Sequence, residues 1–333
     1  MRSRSLKTTL WISLIFGLVV MVALSLVADL KETTTALAGM SHMWWPILLG
    51  LSLLNYVTRF FKWEYFLRVL GVRLNWRDSL GIFLGGFVLS VTPGKLGELF
   101  KAWLVKEING APFSRVAPVI IAERYTDLAG LIVLASAGVY GSGFGVNILL
   151  IGLALLVMLY LMAASKWLRH KIVLLMGRVP MLAKKAASAE RAMDSTQELL
   201  RPRSLPWLTL LSAVSWFWEC WALGFTLNAF GGTMPLSEQV FIYSLSTLVG
   251  ALAFLPGGLG LTEGSMALML SNRVGLDGGT AMAATLVVRL ATLWFAVLLG
   301  VLALFIFGRR WKLGKRLWGG GFQDVAKESN PSE

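Results

Sequence analysis

Apolar residues in this chain come in blocks as long as a bilayer is thick, and that limits the fold more than any other feature. Residues 147–165 contain no charged side chain at all. A helix needs roughly 20 apolar residues to cross the hydrocarbon core. Blocks of that kind cover residues 9–28, 44–66, 116–140, 147–165, 207–230 and 280–307. Of the 333 residues only 15% are charged and 56% are hydrophobic, whereas an ordinary soluble domain is about 25% charged. Too few polar side chains remain to coat a soluble globule. The net charge of +13 would suit a soluble nucleic-acid binder, but the apolar blocks exclude one. A single Cys220 excludes a disulfide scaffold.

Two further apolar stretches are interrupted. Residues 79–105 are broken by Thr92-Pro93-Gly94-Lys95-Leu96-Gly97-Glu98, and residues 237–270 by Pro256-Gly257-Gly258-Leu259-Gly260. Proline lacks a donor and glycine loosens the backbone, so neither stretch reads as one continuous helix. Each reads as a re-entrant broken-helix hairpin, a shape tolerated only inside protein or beside a water-filled cavity. The first block follows Arg2, Arg4 and Lys7. It reads as a retained anchor, because its apolar run is long and Leu26-Val27-Ala28 is a poor cleavage site. With the N-terminus inside and both hairpins re-entrant, 26 of the 31 Lys and Arg residues fall on the cytoplasmic side. That satisfies the positive-inside rule. The expected fold is therefore all-α and polytopic, with six full spans plus two re-entrant hairpins, in a single membrane domain. Its parts are a first span at 9–28, repeat half one at 44–140, a linking span at 147–165, a basic cytoplasmic loop at 166–206, repeat half two at 207–307 and a basic tail at 308–333.

The halves share P-G-x-L-G, at Pro93–Gly97 and Pro256–Gly260. A glutamate follows each copy, Glu98 and Glu263, and an arginine follows each glutamate 26 residues later, Arg124 and Arg289. The topology gives the halves opposite orientations, an inverted repeat, which is a pointer to a transporter's central site. Ionised groups inside a bilayer face the bundle interior or an aqueous cavity. The simplest pairing is Glu98 with Arg124 and Glu263 with Arg289. Such pairs can be purely structural, pinning each hairpin to its neighbour. Guanidinium also grips phosphate bidentately, and a half-helix N-terminus favours anions. Lys95, Arg124 and Arg289, with Arg59 and Lys62, are thus the expected substrate-binding cations. Glu98, Glu123, Asp127 and Glu263 are the expected supporting ion pairs or proton sites. The hairpin breaks are Pro93, Gly94, Gly97, Pro256, Gly257, Gly258 and Gly260. No metal or cofactor motif is present. His42 reads as an interface residue, and Gly141–Gly145 as a turn rather than a nucleotide loop.

Arg59-Phe60-Phe61-Lys62-Trp63, the Thr92–Glu98 break, Glu123-Arg124-Tyr125-Thr126-Asp127, Leu255–Gly260 with Glu263-Gly264, and Arg289 together resemble the lysylphosphatidylglycerol synthase transmembrane, or flippase-like, family. The resemblance runs from about residue 10 to 307. It implies movement of a phospholipid or polyprenol-linked lipid between leaflets, with no cofactor. About 26 residues follow the last span, too few for the aminoacyl-transferase domain of the family's synthases, so synthase activity is not expected. The expected function is a lipid flippase with a cationic cavity. The alternatives are a membrane-embedded enzyme acting on lipid-linked substrates and a non-transporting scaffold of an envelope-synthesis complex. The expected partners are the lipid substrate and anionic inner-leaflet lipids, without nucleic acid, and homo-oligomerisation stays open. The expected location is the plasma (inner) membrane of a prokaryote, with both termini cytoplasmic.

Overall fold

The computed structural model describes residues 29–92, 97–138, 146–165, 186–253 and 255–311, together with the single positions Ile15, Val19, Ala23, Leu26, Trp167 and Lys171. All regular structure among the described residues is helical. The helices are α1 (Leu30–Gly39), α2 (Trp45–Val69), α3 (Trp76–Gly85), α4 (Phe100–Asn109), α5 (Pro118–Gly138), α6 (Val146–Ala164), α7 (Ala186–Leu199), α8 (Leu205–Ala229), α9 (Leu236–Leu252), α10 (Leu261–Met269), α11 (Gly278–Arg289) and α12 (Phe295–Arg310). Short 3₁₀ turns at His42–Trp44, Gly86–Leu89 and Pro256–Gly258 link some of them. A π-turn at Leu290–Trp294 joins α11 to α12.

Local chemistry explains the boundaries. Asn75 accepts from Arg77 N–H at 3.1 Å to start α3, and Asp277 accepts from Thr280 N–H at 2.8 Å to start α11. Gly110 ends α4 in the left-handed region, at φ 79°. α2 and α8 repeat one plan 160 residues apart. Each is 25 residues long with a proline in its first two positions. Each is followed by a glycine of positive φ, Gly71 at 71° and Gly231 at 75°. The two helices lie against each other, and Asn55 on α2 donates to the Ser215 carbonyl on α8 at 2.7 Å.

α8 is the central helix. It packs along α2 and α5, and α5 packs in turn against α9. α12 covers α3 and the Gly86–Leu89 turn, and α11 lies on α1. Small residues permit the close crossings. A Cβ on Gly130 of α5 would stand 2.7 Å from the Ala213 nitrogen of α8. α7, amphipathic in sequence, packs against α5 and the turn Phe113–Val116, with Arg115 paired to Glu198 at 2.8 Å.

The expectation of six full spans is not met. Among the described residues two helices are long and apolar enough to cross a membrane, Leu205–Ala229 and the joined Gly278–Arg310, and a third counts only if α1 and residues 42–69 form one span bent by 72°. The reason lies in where the charges sit. α2 carries Arg59, Lys62, Glu64 and Arg68, and α5 carries Glu123, Arg124 and Asp127 in its N-terminal half. Neither is apolar throughout its length, although both are long. The continuous part of α6 with described side chains is a shorter apolar helix, Leu150–Met162. The expected first span at 9–28 lies outside the described residues, apart from Ile15, Val19, Ala23 and Leu26. So do Pro93–Leu96 of the first hairpin, Gly141–Gly145, His170 and the tail from 312.

The core is apolar, as in a soluble protein, but so is the surface, and several charges are buried. Large apolar side chains are exposed along α6 (Ile151, Leu161), α8 (Trp207, Leu210) and α12 (Phe305, Ile306). The interior holds Lys62, Glu98, Lys101, Glu123 and Glu263, each no more than 1% exposed. Buried charge under an apolar coat is the arrangement that lipid selects.

Candidate functional site

One charged network joins α2, α4 and α5. Glu123, Arg124 and Asp127 lie on successive turns of α5, so Arg124 and Asp127 meet at i,i+3, with Nη2 to Oδ2 at 3.3 Å. From α2, Lys62 Nζ donates to Asp127 Oδ1 at 2.5 Å and to Ser212 Oγ on α8 at 2.8 Å. Arg59, one turn earlier, stands 3.7 Å from Asp127. From α4, Lys101 Nζ donates to Glu123 Oε2 at 2.5 Å and faces the rings of Trp63 and Phe83. Glu98 lies between, 3.1 Å from Arg124 and 3.8 Å from Lys101. Four cations thus surround three carboxylates. Arg124 is 23% exposed and the other six ions are buried, so losing a partner of one of those six would leave an uncompensated buried charge.

The second network is smaller. Arg289 Nε donates to Glu263 Oε1 at 2.5 Å, and its Nη2 donates to the Gly257 carbonyl at 2.8 Å. Glu263 also accepts from the Gly260 N–H at 2.6 Å. Gly257, Gly258 and Gly260 all have positive φ, at 62°, 69° and 90°, a conformation that only glycine adopts routinely. The glycines fold the break, and Glu263 and Arg289 clamp it to α11. At the first break, the Gly97 N–H donates to Thr92 Oγ1 at 2.8 Å.

Between the networks lies a cavity of about 80 Å³. Arg59 and Tyr56 enter it from α2, Trp216 and Glu219 from α8, Gly257 and Gly258 from the second break, and Arg289 from α11. Tyr56 Oη donates to the Thr292 carbonyl at 2.5 Å and closes one wall. Tyr243 on α9 donates to Glu219 Oε2 at 2.5 Å. Cys220, next to Glu219, is buried against Ser244. Among the described residues no group of His, Cys, Asp or Glu could hold a metal ion.

The expected site residues therefore divide. Arg59, Lys62, Glu98, Glu123, Arg124 and Asp127 share one network, and Glu263 and Arg289 form the other with Gly257 and Gly260. Pro93, Gly94 and Lys95 are outside the described residues. Pro256 and Gly258 shape the second break. Two residues were missed from the sequence. Lys101 is among the basic residues counted on the cytoplasmic side, yet it sits in Phe100–Val105 of α4, all six of which are buried. Glu219 is a lone charge midway along the apolar block 207–230, and nothing in the sequence ties it to Tyr243.

The chain matches the family described as the lysylphosphatidylglycerol synthase TM region over residues 11–300. It is also 29% identical over 244 residues to a UPF0104 membrane protein of Methanothermobacter thermautotrophicus, covering 67% of this chain and 71% of that one. It is 26% identical over 269 residues to a UPF0104 membrane protein of Pyrococcus horikoshii, covering 72% and 79%. A second Methanothermobacter thermautotrophicus UPF0104 membrane protein is 23% identical over 322 residues, covering 89% and 95%. What these residues match is a transmembrane region, not an aminoacyl-transferase domain. With its buried charges and apolar coat, this membrane protein belongs to the lysylphosphatidylglycerol synthase transmembrane-region family.

Proposed function

We propose that the protein moves a phosphate-bearing lipid between leaflets. The observation that carries this reading is the one-cation surplus of the first network beside the cavity; Arg289 is matched by Glu263, and Glu219 on the cavity wall is a further carboxylate. Four cations against three carboxylates meet at one network beside a cavity, and a second arginine network flanks the same cavity. Burying that much charge is costly, and a scaffold that only needs stability would be better served by apolar packing. A phosphate group is the natural complement of such a surplus. In this reading Arg59, Lys62, Arg124, Arg289 and Lys95 present positive charge to the headgroup. Glu98, Glu123, Asp127 and Glu263 hold the cations in place, and some carry protons. The two P-G-x-L-G breaks are re-entrant elements of an inverted repeat in this reading, and the second lines the cavity with Gly257 and Gly258. The membrane is the plasma membrane of a prokaryote, with cytoplasmic termini. The family description supports a lipid substrate.

The test is reconstitution into liposomes carrying a fluorescent phospholipid, with a membrane-impermeant quencher added outside. Inner-leaflet probe should become quenchable faster than in protein-free liposomes. Equal rates would sink the proposal. Mass spectrometry of the same lipid separates it from the enzymatic alternative, because transport leaves the lipid chemically unchanged.

A further inference from the structure

We propose that the cavity is a subsite for one phosphate-type oxyanion, held by Arg59, and that Glu219 on its α8 wall takes up a proton as the anion enters. The proposal deepens the transport reading and rests on it for the lipid source of the phosphate.

Arg59 is 6% exposed and lines the cavity. Its Nε and Nη2 atoms have no hydrogen-bond partner among the described residues. Phe87 and Trp216 flank its guanidinium at 5.7 and 6.0 Å, and ring faces accept no strong hydrogen bond. Its nearest carboxylate oxygen, Asp127 Oδ2 at 3.7 Å, is beyond hydrogen-bond distance and has no hydrogen-bond partner of its own, with Arg124 3.3 Å from it and Lys62 on Oδ1. A buried donor pair left unmade is costly, and the Nε–Nη2 edge is the one that grips two oxygens of a phosphate side by side. The hydroxyl residues Ser90 and Thr247 line the same space. Arg289 lines it too, but two of its nitrogens are committed to Glu263 and the Gly257 carbonyl. Of the two arginines on this cavity, Arg59 is the one whose Nε–Nη2 edge is uncommitted.

Glu219 is the carboxylate that an incoming anion would meet. It is 6% exposed and accepts from Tyr243. The ionisable groups facing this region from the packed elements are Tyr56 and Arg59 of α2, Tyr243 of α9 and Arg289 of α11. On the α5 side Asp127 reaches α8 only through Lys62 and Ser212. From the His42–Trp44 turn it is Trp44 that meets α8, at Phe225. Cys220, on α8 itself, turns to Ser244. A phosphate at Arg59 and an ionised Glu219 would be like charges in a low-dielectric space, and one of them must be neutralised. Proton uptake converts the Glu219 carboxylate to the acid, which still accepts from Tyr243 through its carbonyl oxygen. The proton is given up by the buffer acid and relayed through solvent, leaving the buffer's conjugate base, and no other bond changes.

The test is calorimetric titration of the full chain in nanodiscs with glycerol 1-phosphate, in two buffers of different ionisation heat. The expected result is binding with uptake of about one proton. Arg59→Gln should weaken binding about tenfold or more in protein that thermal unfolding shows to be folded. Glu219→Gln should bind without proton uptake. Arg59→Gln affinity equal to wild type, or proton uptake persisting in Glu219→Gln, would overturn the proposal. If Arg59→Gln fails to fold, Arg59→Lys keeps the charge but not the two-donor edge, and wild-type affinity there would be equally fatal. A second arm uses inorganic phosphate and vesicles of phosphatidylglycerol. Competition by the vesicles supports a lipid headgroup as ligand, whereas competition by inorganic phosphate alone supports the subsite but makes free phosphate the ligand. No binding by wild type overturns the subsite and leaves lipid movement to its own assay. Binding by a protein that moves no lipid overturns the transport reading instead.

Discussion

Lys101 carries its charge at 1% exposure, held between Glu123 and Glu98 under the rings of Trp63 and Phe83. Removing it would leave Glu123 ionised and buried without a cation at hydrogen-bond distance. Lys101→Met should therefore cost about 3–5 kcal/mol of stability. The double change Lys101→Met/Glu123→Met removes both charges and should cost less than the single one. Denaturant unfolding of the two variants in detergent checks the order, and a double mutant worse than the single would contradict it. The sequence made some of this network readable and hid the rest. Equal spacing tied Glu98 to Arg124 and Glu263 to Arg289, and both pairs are ion pairs in the structure. Lys62 and Lys101 were counted as cytoplasmic charges, because a basic residue near the end of an apolar block looks the same whether it snorkels outward or points inward. Only packing decides, and both are buried.

At the level of helices, boundaries were more legible than membrane spans. The breaks announced themselves by Pro and Gly, and at the second one the three glycines of positive φ are what the backbone requires. Gly257→Ala forces a Cβ into the left-handed region and should destabilise by about 1–2 kcal/mol, read from thermal unfolding. The α5–α8 crossing depends on the absence of a side chain at Gly130, so Gly130→Leu should lower the thermal midpoint far more than Gly264→Ala, where no neighbour lies within 4 Å of an added Cβ. Asp277 offers a pH test. Its hydrogen bond from the Thr280 backbone holds its carboxyl below the usual carboxylate range. The ionised cap therefore stabilises α11 above the unfolded pKa of about 4, and that contribution is lost as pH falls through the lower folded value. Asp277→Ala should cost about 1 kcal/mol near pH 7 and nothing at the acid end. A cost independent of pH would refute the assignment. Counting spans was less successful, because long helices such as α2 and α5 spend several positions on buried ions and so are not apolar throughout.

For the whole molecule, the positive excess first looked like affinity for an acidic partner. Five of the basic residues, Arg59, Lys62, Lys101, Arg124 and Arg289, are instead gathered in two networks beside one cavity. The matching lengths, prolines and terminal glycines of α2 and α8 extend the internal similarity beyond the P-G-x-L-G copies. That similarity was hard to see in sequence, because most positions facing lipid need only be apolar. The central claim is that this cationic interior recognises phosphate while a lipid crosses. It is tested most directly by comparing, in the same proteoliposomes, a fluorescent phospholipid with a fluorescent glycolipid that has no phosphate. The account predicts that the protein accelerates movement of the phospholipid and leaves the glycolipid at the protein-free rate. Equal acceleration of both, or of neither, would contradict it.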